Sequence, residues 1–282
     1  MVLCPHLPEA PPDAAWLFLS PHLDDAVLSC GALIAEFAPR RPVTVATLFT
    51  AAGPLPHTRA ARSFMRQCAA ADAATLFAAR RAEDQDVVHE IGAVPVHLDE
   101  TDALYRRRAV PEPVERLAGL LPELVHRYPT FRYDIAKGRV SRGDRGLVRK
   151  LRARVAELVS RTAAELVFCP VGVGRHVDHL ITRAVGEVAG EKTVYYSDFP
   201  YNQYAEADPA FIESRDLAPW TWDEGIGAKE RLIRGYRTQA DALFPGGRVP
   251  AAPEVYFSPR RRAAATAVPG SDQRWPRGER SG

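Results

Sequence analysis

A short apolar run, Ala14 to Leu19, breaks into Ser20-Pro21-His22-Leu23-Asp24-Asp25 and resumes as the small-residue stretch Ala26-Val27-Leu28-Ser29-Cys30-Gly31. A buried strand that gives way to a helix within six residues opens a βα unit, and such units require a sheet with helices packed on it. Val43 to Phe49 is β-branched and almost continuously apolar, as suits a strand covered on both faces. A third apolar run, Glu165 to Cys169, leads into His176-Val177-Asp178-His179 and another helical stretch. The chain is therefore expected to be α/β, with right-handed βαβ connections and a parallel sheet.

Taken in order, strands are expected at Ala15–Leu19, Val43–Phe49, Pro95–Asp99, Leu166–Cys169 and Thr193–Ser197, with a closing strand at Val255–Phe257. Helices are expected at Val27–Phe37, Arg59–Ile91, Leu147–Ala164, Val177–Ala189 and Glu224–Phe244, the second stopped by Gly92. Gly31 is read as allowing the first helix close to its strand. From 105 to 145 the periodicity fails and Pro111, Pro113, Pro122 and Pro129 interrupt the chain. This Arg-rich segment reads as an insertion with a short helix near Val114–Arg127, either a surface excursion or a lid.

The chain is expected to form one domain over residues 1–257. Residues 258–282 carry six arginines against Asp272 and Glu279, a net charge of +4, which leaves the body at −2. The basicity thus belongs to the tail, read as a solvated, disordered end, and no nucleic-acid-binding surface is expected. No run of eighteen apolar residues exists, so no stable membrane insertion is expected. The N-terminus lacks a secretory pattern, so a cytoplasmic location is expected. Cys4, Cys30, Cys68 and Cys169 form no C-x-x-C pair, which argues against a thiolate zinc site or a disulfide framework.

The two polar corners carry the chemistry. His22 and Asp25 are three residues apart, as are His176 and His179, so each pair faces one side at a helix start. His22, Asp25 and one histidine of the second corner make a set of two nitrogens and one oxygen. That is the three-ligand arrangement of catalytic zinc, with a position open for water. Asp24, adjoining Asp25, is then placed to deprotonate a metal-bound water. The remaining histidine can stabilise an oxyanion, and Asp178 can hold the His176 ring in one tautomer. The competing reading is that Asp24 or Asp25 merely caps the first helix.

At these residues the chain resembles the PIG-L/LmbE-like family of metal-dependent N-deacetylases, whose motifs read A/S-H-P-D-D-E and H-P-D-H. They stand here as Pro21-His22-Leu23-Asp24-Asp25-Ala26 and His176-Val177-Asp178-His179. Weaker similarity runs through Arg80-Arg81-Ala82-Glu83, Leu98-Asp99…Asp102 and Lys229…Tyr236…Gln239. The resemblance implies a Rossmann-like three-layer sandwich with a mostly parallel sheet, carrying the Arg-rich insertion. It implies Zn2+, or another divalent metal, on His22, Asp25 and His179, with Asp24 as general base and His176 as oxyanion stabiliser or acid. It also implies a small N-acylated, sugar-containing substrate, with Arg80 and Asp102 as candidate substrate contacts. Leu23 and Val177 replace family prolines, which is expected to loosen the corners, and Ala26 replaces a glutamate. Gly174 stands where some relatives carry an aromatic, which is expected to widen the pocket mouth.

Other readings compete. Within the hydrolases these are an amidase on thiol conjugates and a lipid-linked sugar deacetylase. A non-catalytic metal-binding relative is a further reading, against which the intact Asp24 speaks. From another class, Gly172-Val173-Gly174-Arg175-His176-Val177 with Asp198 has the look of a dinucleotide fingerprint, the sign of an oxidoreductase or a binding module, although its third glycine is Val177. The oligomeric state is not readable from the chain.

Overall fold

The computed structural model describes residues 13–136 and 138–260. The basic tail lies, from residue 261 on, outside the described residues. The chain runs β1 (Ala15–Ser20), α1 (Asp25–Phe37), β2 (Val43–Ala51), α2 (Arg59–Gln67), α3 (Ala73–Glu90) and β3 (Val94–Thr101). The insertion follows, with α4 (Glu112–Leu117) and a π-helical turn at Phe131–Ile135. Then come α5 (Arg145–Thr162), β4 (Ala164–Pro170), α6 (Val177–Gly186), β5 (Thr193–Tyr196), α7 (Pro209–Ser214), β6 (Leu217–Trp222), α8 (Ile226–Gly235), α9 (Arg237–Leu243) and β7 (Glu254–Pro259).

Seven strands form one sheet in the order β3-β2-β1-β4-β5-β7-β6. The first five are parallel, while β7 runs antiparallel to both β5 and β6. Apolar side chains of α1, α3 and α8 cover one face, among them Leu33, Val88 and Leu232. Those of α5 and α6, including Leu151, Val155 and Ile181, cover the other. These are the three layers expected of a Rossmann-like sandwich. Because β2 lies on one side of β1 and β4 on the other, the strand order reverses between β1 and β4. In open α/β sheets the crevice beyond the strand ends at this reversal is where ligands bind.

Four local departures have physical causes. The long helix expected over Arg59–Ile91 is two, with Thr58 capping α2 through Ala61 N–H (3.1 Å) and Asp72 capping α3 through Thr75 N–H (2.8 Å). The last helix also divides, at Tyr236. β6 falls in a stretch where no strand was expected; its Pro219 is tolerated because β6 is an edge strand with one neighbour. β7 extends through Pro259, with Ser258 paired to Ala218, so two residues assigned to the tail belong to the sheet.

Gly31 faces helix α8, not a strand. A Cβ there would lie at ordinary contact distance from Leu232 (3.6 Å) and Lys229 (3.7 Å) of α8, and closer, 3.2 Å, to Val27 of its own helix. Leu23 and Val177 do not loosen their corners either. Both are fully buried in one cluster with Phe77, Tyr105 and Ile135, a burial that stabilises by about 1.5–3 kcal/mol per side chain.

Candidate active site

The first corner is bent by Ser20, whose hydroxyl donates to the His22 carbonyl (2.6 Å) and accepts from Ala26 N–H (3.0 Å). That double bond folds Pro21–Asp25 back over the end of β1. Asp25 Oδ2 then accepts from His22 N–H (2.9 Å) and faces His22 Nδ1 at 3.0 Å. Asp24 holds the N-cap position of α1, yet its carboxylate takes no bond from the helix. It is buried instead, 3.6 Å from Arg80 Nη2. Helix capping therefore explains neither aspartate.

The second corner is turned by positive φ at Gly172 (85°), Gly174 (77°) and Arg175 (61°). Asp198, just beyond β5, holds this turn: its Oδ2 accepts from both Gly172 and Val173 N–H at 2.8 Å. Its Oδ1 lies 2.6 Å from His179 Nδ1. His176 caps α6 through its Nδ1, which accepts from Asp178 N–H at 3.3 Å. A Cβ on Gly174 would sit 3.4 Å from Tyr201 Cδ1, and the Tyr201 ring meets His179 edge-on at 5.7 Å. Tyr201 thus occupies the space beside Gly174, where a wider mouth was expected.

The corners meet. Nitrogens of His22, His176 and His179 lie within 4.8 Å of one another. Asp25 Oδ2 is 3.3 Å from His179 Nε2, a nitrogen that is buried and makes no hydrogen bond. With Nδ1 facing Asp198, Nε2 faces a carboxylate oxygen, a place that a ring proton or a divalent ion can fill. His22 Nδ1, Asp25 Oδ2 and His179 Nε2 thus suit a divalent ion with two nitrogen ligands and one oxygen. His22, Asp102 and Asp178 form another close set. There, however, Asp178 is already bound to Arg106 Nη2 (2.6 Å) and Ala103 N–H (2.8 Å), with His22 Nε2 3.3 Å away. That set backs the His22 ring.

Residues 17–189 match the PIG-L family, described as GlcNAc-PI de-N-acetylases. The chain belongs to the PIG-L family. It is 29% identical over 236 residues to a 2'-N-acetylparomamine deacetylase from Streptomyces fradiae, covering 80% of this chain and 73% of that protein. Its fold is similar to that of the zinc-inhibited form of teicoplanin deacetylase Orf2, with TM-score 0.65 at 21% identity, covering 86% of this chain and 97% of that one. The A40926 pseudoaglycone deacetylase Dbv21 is likewise similar, with TM-score 0.65 at 23% identity, covering 90% and 100%.

In this PIG-L protein the dinucleotide reading fails on geometry, because the Gly172 and Val173 amides that would cradle a phosphate are held by Asp198. One expected contact also differs. The Asp178 carboxylate is directed at His22 and Arg106, and only its backbone N–H reaches His176. Arg80 and Asp102 are both buried, the former against Asp24 and the latter with Oδ2 3.7 Å from His22 Nε2 and Oδ1 accepting from Leu104 N–H (2.8 Å). Asp198 and Arg106 are the residues the sequence did not single out for this site. For Asp198 the available signal is a carboxylate at the end of the strand next to β4. Arg106 has none, its partner lying 72 residues away.

Burial, then the charge of Asp25, pushes the Asp24 carboxyl up to about 6. Asp25 is held well below the usual carboxylate range: burial opposes this, but His179 and His22 outweigh it. Burial, reinforced by His22 and His179, keeps His176 well below its ordinary value, and so neutral. Among the described residues no helix is long and apolar enough to cross a membrane.

Proposed function

We propose that this PIG-L protein is a zinc-dependent N-deacetylase that removes an acetyl or related acyl group from the nitrogen of an amino-sugar-containing small molecule of the antibiotic type. The observation that carries the reading is the convergence of His22 Nδ1, Asp25 Oδ2 and His179 Nε2 beside a buried Asp24 that does not cap its helix. The name of the relative, a 2'-N-acetylparomamine deacetylase, supports the substrate class.

His22, Asp25 and His179 would hold the ion, which when bound polarises the amide carbonyl and acidifies water as a Lewis acid. Asp24, at about 6, is ionised at neutral pH yet basic enough to take a proton. It accepts that proton as water oxygen bonds to the carbonyl carbon, and returns it to the nitrogen as the C–N bond breaks. A carboxylic acid and a free amine result. The Nδ1 of His176 is committed as acceptor from Asp178 N–H, so the ring proton sits on Nε2, free to donate to the developing oxyanion. Asp178 and Asp198 fix the rings of His22 and His179 from behind.

The test is amine release from N-acetylated aminoglycoside precursors, N-acetyl amino sugars and acylated glycopeptide aglycones. Chelation should abolish release and zinc restore it; no release from any of them in zinc-loaded protein refutes the reading. Asp24→Asn should keep its zinc and lose about 10²–10⁴-fold in kcat. Full activity in that variant would remove Asp24 from the base role.

A further inference from the structure

The insertion reaches the site from two sides, with the Phe131 ring 6.1 Å from that of His176 and Arg106 behind Asp178. Arg106 is buried beneath the insertion, its guanidinium 4.8 Å from the Phe49 ring centroid. Four of its five N–H donors are committed: Nε and Nη2 to the Thr101 carbonyl (3.2 and 2.9 Å), Nη1 to Asp144 Oδ2 (2.9 Å) and Nη2 also to Asp178 Oδ1 (2.6 Å). Asp144 is the insertion's own anchor, accepting from Tyr128 O–H (2.6 Å) and pairing with Arg127 (2.9 Å). On the other side, Arg106 occupies one oxygen of Asp178. The second oxygen is left to Ala103 N–H (2.8 Å) and His22 Nε2 (3.3 Å). A ring whose Nε2–H is given away in this direction must turn Nδ1 toward Asp25 Oδ2, where it lies at 3.0 Å.

We propose that Arg106 is a positioning residue: by pinning the Asp178 carboxylate from the insertion side, it fixes the tautomer and orientation in which His22 offers Nδ1 to a divalent ion. The inference rests on the metal-site reading above and extends it to the 105–145 segment, which becomes a support for the site. A planar guanidinium with five donors can serve Thr101, Asp144 and Asp178 together; an ammonium at the end of a lysine cannot match that fork.

The test uses full-length protein in three forms: wild type, Arg106→Met and Arg106→Lys. Two readouts are taken: the ring-nitrogen shifts of His22 by 15N NMR on metal-free protein, and the affinity for Co2+ or Zn2+ by chelator competition. The shifts are followed in pH until the ring is neutral, since burial is outweighed by Asp102, Asp178 and Asp25, which hold the His22 pKa well above the ordinary value. Arg106→Met should lower affinity about 10–100-fold, the range seen when a ligand's outer partner is lost, and should deplete the Nε2–H tautomer of His22. Arg106→Lys should recover part of both, and it carries the test if Arg106→Met does not fold. Wild-type affinity and an unchanged His22 tautomer in either folded variant would overturn the proposal. If wild type itself binds no divalent ion, the metal-site reading fails, and the tautomer measurement still decides the role of Arg106.

Discussion

Two buried carboxylates press on α1, Asp25 at its first turn and Glu254 beside Ala32 and Leu33, and their surroundings differ in one respect. Glu254 Oε1 accepts from Ala32 N–H (2.8 Å) and pairs with Lys229 Nζ (3.1 Å). Its Oε2 accepts from Leu33 N–H (3.0 Å) and Tyr256 O–H (2.8 Å). Asp25 Oδ2 has the His22 N–H but otherwise faces two imidazole nitrogens, one of them buried without a hydrogen bond. Leaving a buried polar atom unmatched costs about 1–3 kcal/mol. Glu254 thus has four donors, whereas His179 Nε2 faces Asp25 Oδ2 at 3.3 Å without a hydrogen bond. On the proposed reading the Glu254 cluster is structural and the Asp25 cluster is the one that would hold the divalent ion.

The strongest way to break this contrast is to remove a member from each cluster. His179→Ala should lower affinity for Zn2+ by more than the roughly 100-fold expected for losing an outer carboxylate, while the metal-free protein still folds. Unchanged zinc stoichiometry in that variant would take His179 out of the ligand set. Lys229→Met should do the reverse. It strands the buried Glu254 charge and should cost about 3–5 kcal/mol in urea unfolding, as broken buried pairs do. A loss below ~1 kcal/mol would mean the two cluster types do not differ as their donor sets suggest.

The same contrast explains what was readable beforehand. The corners of the PIG-L site are legible because each is continuous in the chain: apolar run, polar turn, helix. His22, Asp24 and Asp25 fall within four residues, as do His176 and His179. The parallel half of the sheet is legible for the same reason. The supporting partners are not, since Asp198 and Arg106 reach their targets across 19 and 72 residues, and no local pattern encodes such a distance. The break between α2 and α3 is hidden because Ala69 takes φ 50° there, a conformation usually signalled by glycine or asparagine. The edge strand β6 is hidden by Pro219, which reads as a breaker anywhere except at an edge.

A finer cut tests whether the site's outer carboxylates belong with the Asp25 cluster or the Glu254 cluster. Asp198 serves both purposes, binding two loop amides and the His179 ring. Asp198→Asn preserves an oxygen for the amides but cannot supply acceptors on both sides in the same way. Zinc affinity is expected to fall about 10–100-fold, with urea unfolding of the metal-free protein changed less than in Lys229→Met. Equal zinc affinity would assign Asp198 to loop structure alone.

The smallest expected effect comes from Tyr256→Phe, which deletes one donor from Glu254 and the hydroxyl's contact with the Cys30 thiol. The Tyr256 ring is fully buried and stacks on Trp220 with centroids 4.3 Å apart, so the phenylalanine keeps its packing. Glu254 retains Lys229 and the amides of Ala32 and Leu33. Losing one of four partners should cost about 1 kcal/mol in urea unfolding, with zinc affinity and amine release as in wild type. The two measurements pull apart the alternatives: a stability loss alone keeps Glu254 structural. A matching loss of zinc affinity would mean that the far end of α1 sets the position of Asp25, and the two carboxylates would then have to be treated as one coupled system.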